Sequence, residues 1–213
     1  GVPNIPEIQQ GDDLPRLILA GCVSGGIRLA ADDVLVVTQK IVSKAEGRMV
    51  DLNDVTPSQF AQDYAQKWGK DPRQIEVVLR ESARIVRMDK GVIICETRQG
   101  FVCANAGVDA SNVPGGHLVT LLPVDSDASA LAIREAVRAE TGVDVPVIVS
   151  DSFGRPWRQG IINIAVGVSG LAPLRDFRGD DDPYGYRMHA TIITGADELT
   201  SAAQMVRGKE GGV

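Results

Sequence analysis

The stretch VIVSDSFGRPWRQG, residues 147–160, places a carboxylate, a hydroxyl and two guanidinium groups directly after an apolar run. Asp151 and Ser152 end the apolar run, and Arg155 and Arg158 follow within a segment that also contains Gly and Pro. Carboxylate and hydroxyl oxygens bind hard divalent cations. Arginine recognises phosphate and carboxylate groups through paired hydrogen bonds. The stretch therefore predicts a ligand that brings both a metal ion and a negative charge.

Further oxygen donors and cationic side chains occur elsewhere in the chain. Asp109 and Asn112 lie in ANAGVDASN, and Lys40 and Lys44 follow the apolar run VLVV, residues 34–37. Mg²⁺ and Mn²⁺ take few protein oxygens and fill their remaining positions with water and phosphate. Lysine and arginine can supply the positive charge that phosphoryl transfer needs. Together these residues indicate a site for a divalent metal and a phosphate-bearing ligand.

Each of these residues also has a structural interpretation. Asp109 and Asn112 are common turn residues whose side chains hydrogen-bond their own backbone. Asp151 could cap a turn next to Gly154, and the nearby arginines could be exposed charges. The three consecutive aspartates in RGDDDPYGYR, residues 178–187, fit a solvated acidic loop better than a metal site. The residues alone leave these alternatives open.

Several common catalytic motifs are missing from the sequence. It contains no GxxxxGK[ST] P-loop, no dinucleotide-binding glycine fingerprint and no GxSxG nucleophile elbow. The two histidines, His117 and His189, are far apart in the chain. This scarcity argues against a zinc site built on His and Cys and against a His-based catalytic triad.

The composition predicts one cytoplasmic domain over residues 1–213. With 44% hydrophobic residues, the chain can bury a sizeable core. A net charge of -6 argues against a nucleic-acid partner, which needs a basic face. No run of about 18 apolar residues and no signal peptide is visible, so we expect no membrane partner.

Because Cys22, Cys95 and Cys103 lack CxxC spacing, we expect them to be reduced. The chain starts without Met and ends in GKEGGV, so we expect the natural chain to continue beyond both ends.

Hydrophobic periodicity predicts a mixture of helices and strands that must position these residues. Because the elements follow no βαβ rhythm and several strands have antiparallel character, we predict an α+β fold. It should have mixed, largely antiparallel sheets with flanking helices and no P-loop or Rossmann unit. We predict helices at 12–25, 57–68, from 72 onward, 126–141 and 196–206, and strands at 33–39, 84–88, 91–96, 101–105, 117–123, 145–150, 161–167 and 186–194.

Capping signals define several of these helix ends. Thr56, with Pro57 at the first helical position and Gln59 two residues on, predicts a capping box at the start of the second helix. Asp71 predicts the N-cap of the next helix, and Gly142 predicts the end of the long helix before residue 145.

Four segments taken together resemble the GTP-dependent coenzyme F420-0:L-glutamate ligases. The segments are TQKIVSKAEGR (38–48), ETRQGFVCANAGVDASN (96–112), VSDSFGRPWRQGIINIAVGVSGL (149–171) and ADELTSAAQMVRGKEGG (196–212). The opening IPEIQQGDDL (5–14) is also similar to that of the family. The resemblance runs through nearly the whole chain in family order, and its motifs are long and unusual.

The resemblance implies a reaction that suits these side chains. GTP would phosphorylate a terminal carboxylate of the deazaflavin precursor F420-0, and the amine of L-glutamate would attack the acyl phosphate to form an amide. Later rounds would extend a γ-linked tail. The small-molecule partners would be GTP, L-glutamate and F420-0, with Mg²⁺ or Mn²⁺ as the cofactor and K⁺ as a further candidate ion. The resemblance also implies a homodimer.

The resemblance assigns roles to particular positions. Asp109 and Asp151 correspond to ligands of a first divalent ion, and Ser152 to a hydroxyl ligand of a second. A separate hypothesis concerns Arg155 and Arg158, which follow Asp151 by four and seven residues: we predict that at least one of these catalytic residues contacts the phosphate or the acidic tail of the deazaflavin. GTP-binding positions are Ile5, Pro6, Glu7, Ile8, Gln39, Lys40, Lys44, Asn112, Arg207, Gly208, Lys209, Glu210, Gly211 and Gly212.

Two positions depart from the family pattern. Gln39-Lys40 stands where family members often have Ser-Thr or a similar pair. In the tail RGKEGG, Lys209 stands where the family often has an acid or amide that binds the second ion. We therefore expect either that Glu210 takes this role or that fewer protein groups hold the second ion.

Two other functions fit the same side chains. A metal-dependent nucleotide phosphohydrolase would release phosphate from GTP without an acceptor. A non-catalytic module would bind the nucleotide or the deazaflavin and carry out no reaction. Some ligases of the family carry a fused flavin-binding domain, so a continuation of the natural chain into such a domain beyond residue 213 stays open.

Overall fold

The computed structural model describes residues 1–111, 113 and 115–207. These residues form an α+β fold, which confirms the predicted class. No helix in this part of the chain is long and apolar enough to span a membrane. The helices are α1 Leu14–Ser24, α2 Gln39–Ala45, α3 Gln59–Trp68, α4 Pro72–Glu81, α5 Ser126–Thr141 and α6 Gly195–Arg207. The strands are β1 Leu35–Thr38, β2 Met49–Asp51, β3 Ser82–Asp89, β4 Val92–Thr97, β5 Val102–Ala104, β6 Leu118–Thr120, β7 Val147–Gly154, β8 Ile161–Ser169, β9 Arg175–Asp176 and β10 Ile192–Ile193.

The strands form four small sheets instead of one large sheet. Their orders are β1-β7-β8, β3-β4-β5, β2-β6 and β9-β10. β1 and β7 run in parallel, whereas the other named pairs are antiparallel. The mixed sheet β1-β7-β8 carries Asp151 and Ser152 on β7, and the segments that contain Lys40 and Arg155 begin at the ends of β1 and β7.

Two hydrophobic cores support these sheets. The first joins one face of β1-β7-β8 to α1, α2 and α5, and it includes Val37, Val147 and Val149. The second lies between α3, α4 and the sheet that contains β4, and it includes Ile93. Burial of these aliphatic side chains is the main favourable contribution to folding.

Several local predictions are confirmed, and one cap is wrong. The Asp71 carboxylate accepts from Arg73 N at the start of α4, and Gly142 ends α5 in the left-handed conformation. The N-cap of α3 is Ser58 and not Thr56, because the Ser58 hydroxyl accepts from Ala61 N. The helix therefore begins two residues later than predicted, at Gln59.

Some strand predictions need correction. The predicted strand 33–39 is β1 at 35–38, and Gln39 instead begins the helix α2, which was not predicted. The predicted strand 186–194 contains only the two residues of β10. β7 extends to Gly154 because its distal half pairs with β8 in a hairpin. All three cysteines are buried with free thiols, as predicted, although Cys95 and Cys103 lie opposite each other on β4 and β5.

Candidate functional site

The parallel pair β1 and β7 brings two of the predicted segments to one edge of the sheet. Thr38 lies opposite Ser150, so the carboxyl ends of both strands point the same way. Lys40 follows Thr38 by two residues, and Asp151 and Ser152 follow Ser150 directly. The end of β1 therefore lies beside the part of β7 that carries Asp151 and Ser152. That a metal ion and a phosphate group bind there stays a prediction.

A compact polar cluster forms around Asp109. Lys40 Nζ lies 2.6 Å from Asp109 Oδ2, 2.6 Å from the Ser111 carbonyl and 2.8 Å from Ser111 Oγ. Ser111 in turn donates from its backbone N to Asp109 Oδ1 at 2.8 Å and from its hydroxyl to Oδ2 at 2.8 Å. The structure thus joins Lys40 and Asp109, which are 69 residues apart in the chain.

The surroundings of Asp109 favour its ionised form. Burial raises the pKa of this carboxyl, but hydrogen bonds from Lys40 and Ser111 and the charge of Lys40 outweigh burial and lower its pKa overall. Asp109 therefore presents a carboxylate at neutral pH. Lys40 and Ser111 donate hydrogen bonds to both of its carboxylate oxygens and hold them in place.

Asp151 and Ser152 lie on opposite faces of β7. They are consecutive residues of a regular stretch, opposite Ile164 and Asn163 of β8, and successive strand side chains alternate between faces. Asp151 shares its face with Val147 and Val149 of the first core. Because of this alternation, their two side chains cannot both bind the same ion.

Asp151 points towards β5. Burial, the charge of Asp151 and the neighbouring Cys95 together raise the pKa of the Cys103 thiol to about 12. Cys103 comes six residues before Asp109 in the chain. That Asp109 and Asp151 bind the same ion stays a prediction.

Ser152 begins a chain of polar side chains on the other face. Its hydroxyl donates to Asn163 Oδ1 at 2.8 Å, and Asn163 Nδ2 donates to Gln204 Oε1 at 2.9 Å. Arg207 Nη2 donates to the same Gln204 oxygen at 2.7 Å. The chain connects the predicted hydroxyl ligand to the last described residue of α6.

The two predicted catalytic arginines lie in the loop between β7 and β8. Arg155 Nη2 donates to the Gln159 carbonyl at 2.6 Å, while its buried Nε has no hydrogen-bond partner in the part of the chain described. Arg158 is exposed, and so is Trp157, which has a positive φ of 56°. The loop places both guanidiniums beyond the hairpin that carries Asp151 and Ser152.

The N-terminal segment packs across α1 and ends against α2. A Cβ at Gly21 would come within 2.7 Å of the Pro3 carbonyl, so only glycine allows this close approach. Ile8 belongs to the first core, and Ile5 packs against it. Glu7 Oε1 accepts from Lys44 Nζ at 2.5 Å, and Lys44 is only 2% exposed. The segment 5–8 is thus held in place by this ion pair and by the first core. That the segment contacts GTP stays a prediction.

Gln39 has a structural role that the sequence did not suggest. Its side chain is 2% exposed, and Nε2 donates to the Leu121 carbonyl at 2.9 Å and to Ser43 Oγ at 2.5 Å. These bonds join the start of α2 to the segment after β6. A nucleotide contact by Gln39 stays a prediction.

Some predicted residues lie outside the described part of the chain. They are Asn112, Gly208, Lys209, Glu210, Gly211 and Gly212. Within the described ranges, no group of three His, Cys, Asp or Glu side chains forms a metal-binding cluster.

Three residues of the site were missed from the sequence. Ser111 follows Asp109 by two residues, the spacing of an Asx turn, and could have been found by that signal. Asn163 is the polar residue within the apolar run IINIAVGV of β8, which was a weaker signal. Gln204 lies in α6, and no motif in the neighbouring sequence indicates that it belongs to the site.

A cavity of about 300 Å³ lies apart from these residues. It is bounded by β8 and the first turns of α5 and α6. Its two acidic residues are already engaged, because Asp127 accepts from Val168 N at 2.7 Å and Asp197 from Ala165 N at 2.9 Å. The two carboxylates therefore cover the open edge of β8.

Comparison with known proteins gives a consistent result. A family described as F420-0:Gamma-glutamyl ligase matches residues 3–213. The coenzyme F420:L-glutamate ligase of Methanothermobacter thermautotrophicus is 45% identical over 209 residues, which are 98% of this chain and 82% of that protein. The ligase of the same name from Methanopyrus kandleri is 46% identical over 208 residues, 98% of this chain and 80% of that protein. That of Archaeoglobus fulgidus is 39% identical over 210 residues, 99% of this chain and 82% of that protein.

Proposed function

Since this chain belongs to the F420-0:gamma-glutamyl ligase family, we propose that it joins L-glutamate to coenzyme F420-0 in a GTP-dependent reaction. The observation that carries the proposal is the match through nearly the whole chain to relatives of that name. The Lys40–Asp109–Ser111 cluster at the β1/β7 edge supports it, because the cluster supplies charged groups of the kind that phosphoryl transfer uses.

The reaction proceeds in two steps. In the first, a carboxylate oxygen of F420-0 attacks the γ-phosphorus of GTP; the bond from the γ-phosphorus to the bridging oxygen breaks, and GDP leaves. In the second, the amino nitrogen of glutamate attacks the acyl carbon, and phosphate leaves. The ammonium group of glutamate loses one proton before the attack and a second as the amide forms, both to solvent or a base, and the amide nitrogen keeps one hydrogen. A free carboxylate is a poor acyl donor, whereas phosphate is a good leaving group, so GTP drives amide formation.

The protein's own residues mainly bring together anions that would otherwise repel one another. Lys40 is held in place by Asp109 and Ser111, so its ammonium group is preoriented at the strand edge. Arg155 and Arg158 add positive charge from the β7–β8 loop. Preoriented charges of this kind stabilise a transition state because they need no reorganisation during the reaction.

The residues at the site fit a hard divalent cation. The donor set consists of the carboxylates of Asp109 and Asp151 and the hydroxyl of Ser152, all of them oxygen ligands. The lowered pKa of Asp109 keeps it anionic, as a ligand must be. When bound, a divalent cation would neutralise the phosphate oxygens. Asp109 and Asp151 would hold a first ion, and Ser152, from the opposite face, would hold a second.

A turnover assay read by mass spectrometry tests the proposal. The protein is incubated with GTP, Mn²⁺ or Mg²⁺, L-glutamate and F420-0, and each component is omitted in turn. We expect a product heavier by one glutamyl unit that depends on every component. Asp109→Asn and Asp151→Asn should each lower turnover by at least about 100-fold, since a metal ligand is lost.

Asp176→Asn is a matched control. Asp176 is also held by a basic neighbour, Arg178, but lies on β9 outside the site. It should retain wild-type turnover. GDP and phosphate released without F420-0 would refute the ligase and support the phosphohydrolase. Nucleotide binding without any consumption of GTP would show a binding module.

A further inference from the structure

We propose that Asn163 and Gln204 are positioning residues that hold the Ser152 hydroxyl ready to accept a divalent cation. The inference rests on the proposed function, in which Ser152 is a ligand of the second ion. It is drawn from the chain Ser152–Asn163–Gln204–Arg207, whose three hydrogen bonds measure 2.8, 2.9 and 2.7 Å.

The direction of every bond in this chain follows from its last residue. A guanidinium only donates hydrogen bonds, so the Gln204 atom that faces Arg207 must be its oxygen. That oxygen has two lone pairs, and the second accepts from Asn163, so the Asn163 atom facing it must be its nitrogen. The orientation of both amides is thereby determined.

The same logic determines the Ser152 hydroxyl. With its nitrogen turned to Gln204, Asn163 presents its oxygen to Ser152, and an amide oxygen only accepts. Ser152 must therefore donate its proton towards Asn163. Its lone pairs then face away from the chain, and the residue is exposed. A hydroxyl that binds a cation has to present lone pairs and direct its proton elsewhere, which is the state that this chain enforces.

The supports of this chain are rigid. Asn163 is 6% exposed, and its carbonyl accepts from the hydroxyls of Thr200 and Ser201 at 2.9 and 3.1 Å. These bonds hold α6 along β8. Gln204 lies about one helical turn beyond Thr200 and Ser201, where its side chain contacts that of Asn163. Residues that hold a metal ligand in this way are expected to affect the affinity for the metal, because they fix the orientation of the ligand.

The test compares four variants. Gln204→Met removes the acceptor from a half-buried position, and Asn163→Leu removes the whole link to Ser152. Gln204→Glu keeps an acceptor for both Asn163 and Arg207. Gln99→Met is the matched control, because Gln99 is a glutamine of similar exposure that donates to the Pro123 carbonyl at 2.8 Å away from this chain.

Two readouts separate positioning from general damage. Mn²⁺ is titrated into each protein at a fixed GDP concentration, and unbound Mn²⁺ is measured by electron paramagnetic resonance against a protein-free GDP blank. The Mn²⁺ dependence of turnover is measured in parallel. We expect Gln204→Met and Asn163→Leu to weaken Mn²⁺ binding about 10- to 100-fold, the usual effect of losing a partner of a metal ligand. Turnover of Gln204→Met should recover at high Mn²⁺, and Gln204→Glu should restore affinity to within about threefold of wild type.

The inference is overturned if Gln204→Met binds Mn²⁺ as tightly as wild type, or if Gln99→Met weakens binding equally. It is also overturned if Gln204→Glu is no better than Gln204→Met, because the direction of the bonds would then not matter. In each of these cases, metal-dependent glutamylation by the wild type would leave the proposed function intact. A wild type that glutamylates equally well without a metal would overturn the inference and leave the ligase activity, whereas a wild type that does not glutamylate at all would overturn both.

Discussion

Replacing either partner of the ion pair between Lys44 and Glu7 should change the free energy of unfolding by different amounts. Lys44 is 2% exposed, whereas Glu7 is 56% exposed. If Glu7 is replaced by Gln, the ammonium of Lys44 stays buried next to a neutral amide. If Lys44 is replaced by Met, the remaining carboxylate of Glu7 turns to water. We therefore expect Glu7→Gln to destabilise the protein more than Lys44→Met, although both remove the same ion pair.

The magnitude follows from burial. Removing one partner of a fully buried pair costs about 3–5 kcal/mol, because an uncompensated charge stays in the interior. The exposure of Glu7 allows water near the ammonium, so we expect about 2–3 kcal/mol for Glu7→Gln. Replacing a buried charge by an apolar side chain of similar volume is often neutral, so Lys44→Met should stay within about 1 kcal/mol of wild type. For a chain of this size, 2–3 kcal/mol lowers Tm by about 4–12 °C.

The assay is urea denaturation followed by circular dichroism for wild type, both single variants and the double variant. In the double variant no buried charge remains, so adding Lys44→Met to Glu7→Gln should recover most of the lost stability. The free energies of unfolding of the two single variants and the double variant together give the coupling energy of a double-mutant cycle. Because Lys44→Met keeps the fold, its GTP affinity then tests the predicted nucleotide contact without a folding defect.

Two results would refute this reasoning. Glu7→Gln within about 0.5 kcal/mol of wild type, a change typical of surface positions, would show that the ammonium is solvated despite its burial. Lys44→Met less stable than Glu7→Gln would show that the aliphatic stem and its contacts matter more than the charge.

The remaining predictions concern a carboxylate, a glycine and an arginine. The pKa of Asp109 is lowered from 3.8, so its contribution to stability is present above about pH 4 and is lost as the pH falls below that value. The difference in Tm between wild type and Asp109→Asn should accordingly shrink on acidification, and a constant difference from pH 6 to pH 2.5 would contradict it. Gly167→Ala should destabilise the fold by about 1–3 kcal/mol in urea denaturation, because its Cβ would lie 2.3 Å from the Ser126 carbonyl. Gly154→Ala on the same hairpin meets no atom within 4 Å and should have little effect; equal losses would disprove a steric cause. Arg155→Ala should lower kcat/KM at least about tenfold, or about 1.4 kcal/mol, and a loss under threefold would mean that the arginine only orders its own loop.

Local signals in the sequence were reliable where a few neighbouring residues decide the structure. Asp71 caps the beginning of α4 and Gly142 caps the end of α5, as predicted. These predictions hold because a cap depends on bonds to residues two to four positions away. The prediction that Thr56 caps α3 is wrong because Ser58, two residues further on, also has a hydroxyl group and is the residue that accepts from the helix backbone. Two competing caps cannot be ranked by composition alone.

Predictions failed where distant segments compete for the same residues. Gln39 was placed in the strand before it, but it begins α2 and donates to the carbonyl of Leu121, 82 residues away, a bond that no local pattern indicates. The predicted end of β7 was wrong because β8 pairs with it as far as Gly154. The predicted strand 186–194 was too long because pairing with β9 covers only two of its residues.

The sequence by itself determined the chemical groups of the site, the family and the α+β class, since these depend on residue types, their order and their periodicity. Only the tertiary structure decided how the groups are combined. It joined Lys40 to Asp109, separated Asp151 from Ser152 by strand alternation, and linked Ser152 to α6 through Asn163. The physical reason is that a side chain's chemistry is carried by one residue, whereas its partners are set by the packing of segments far apart in the chain.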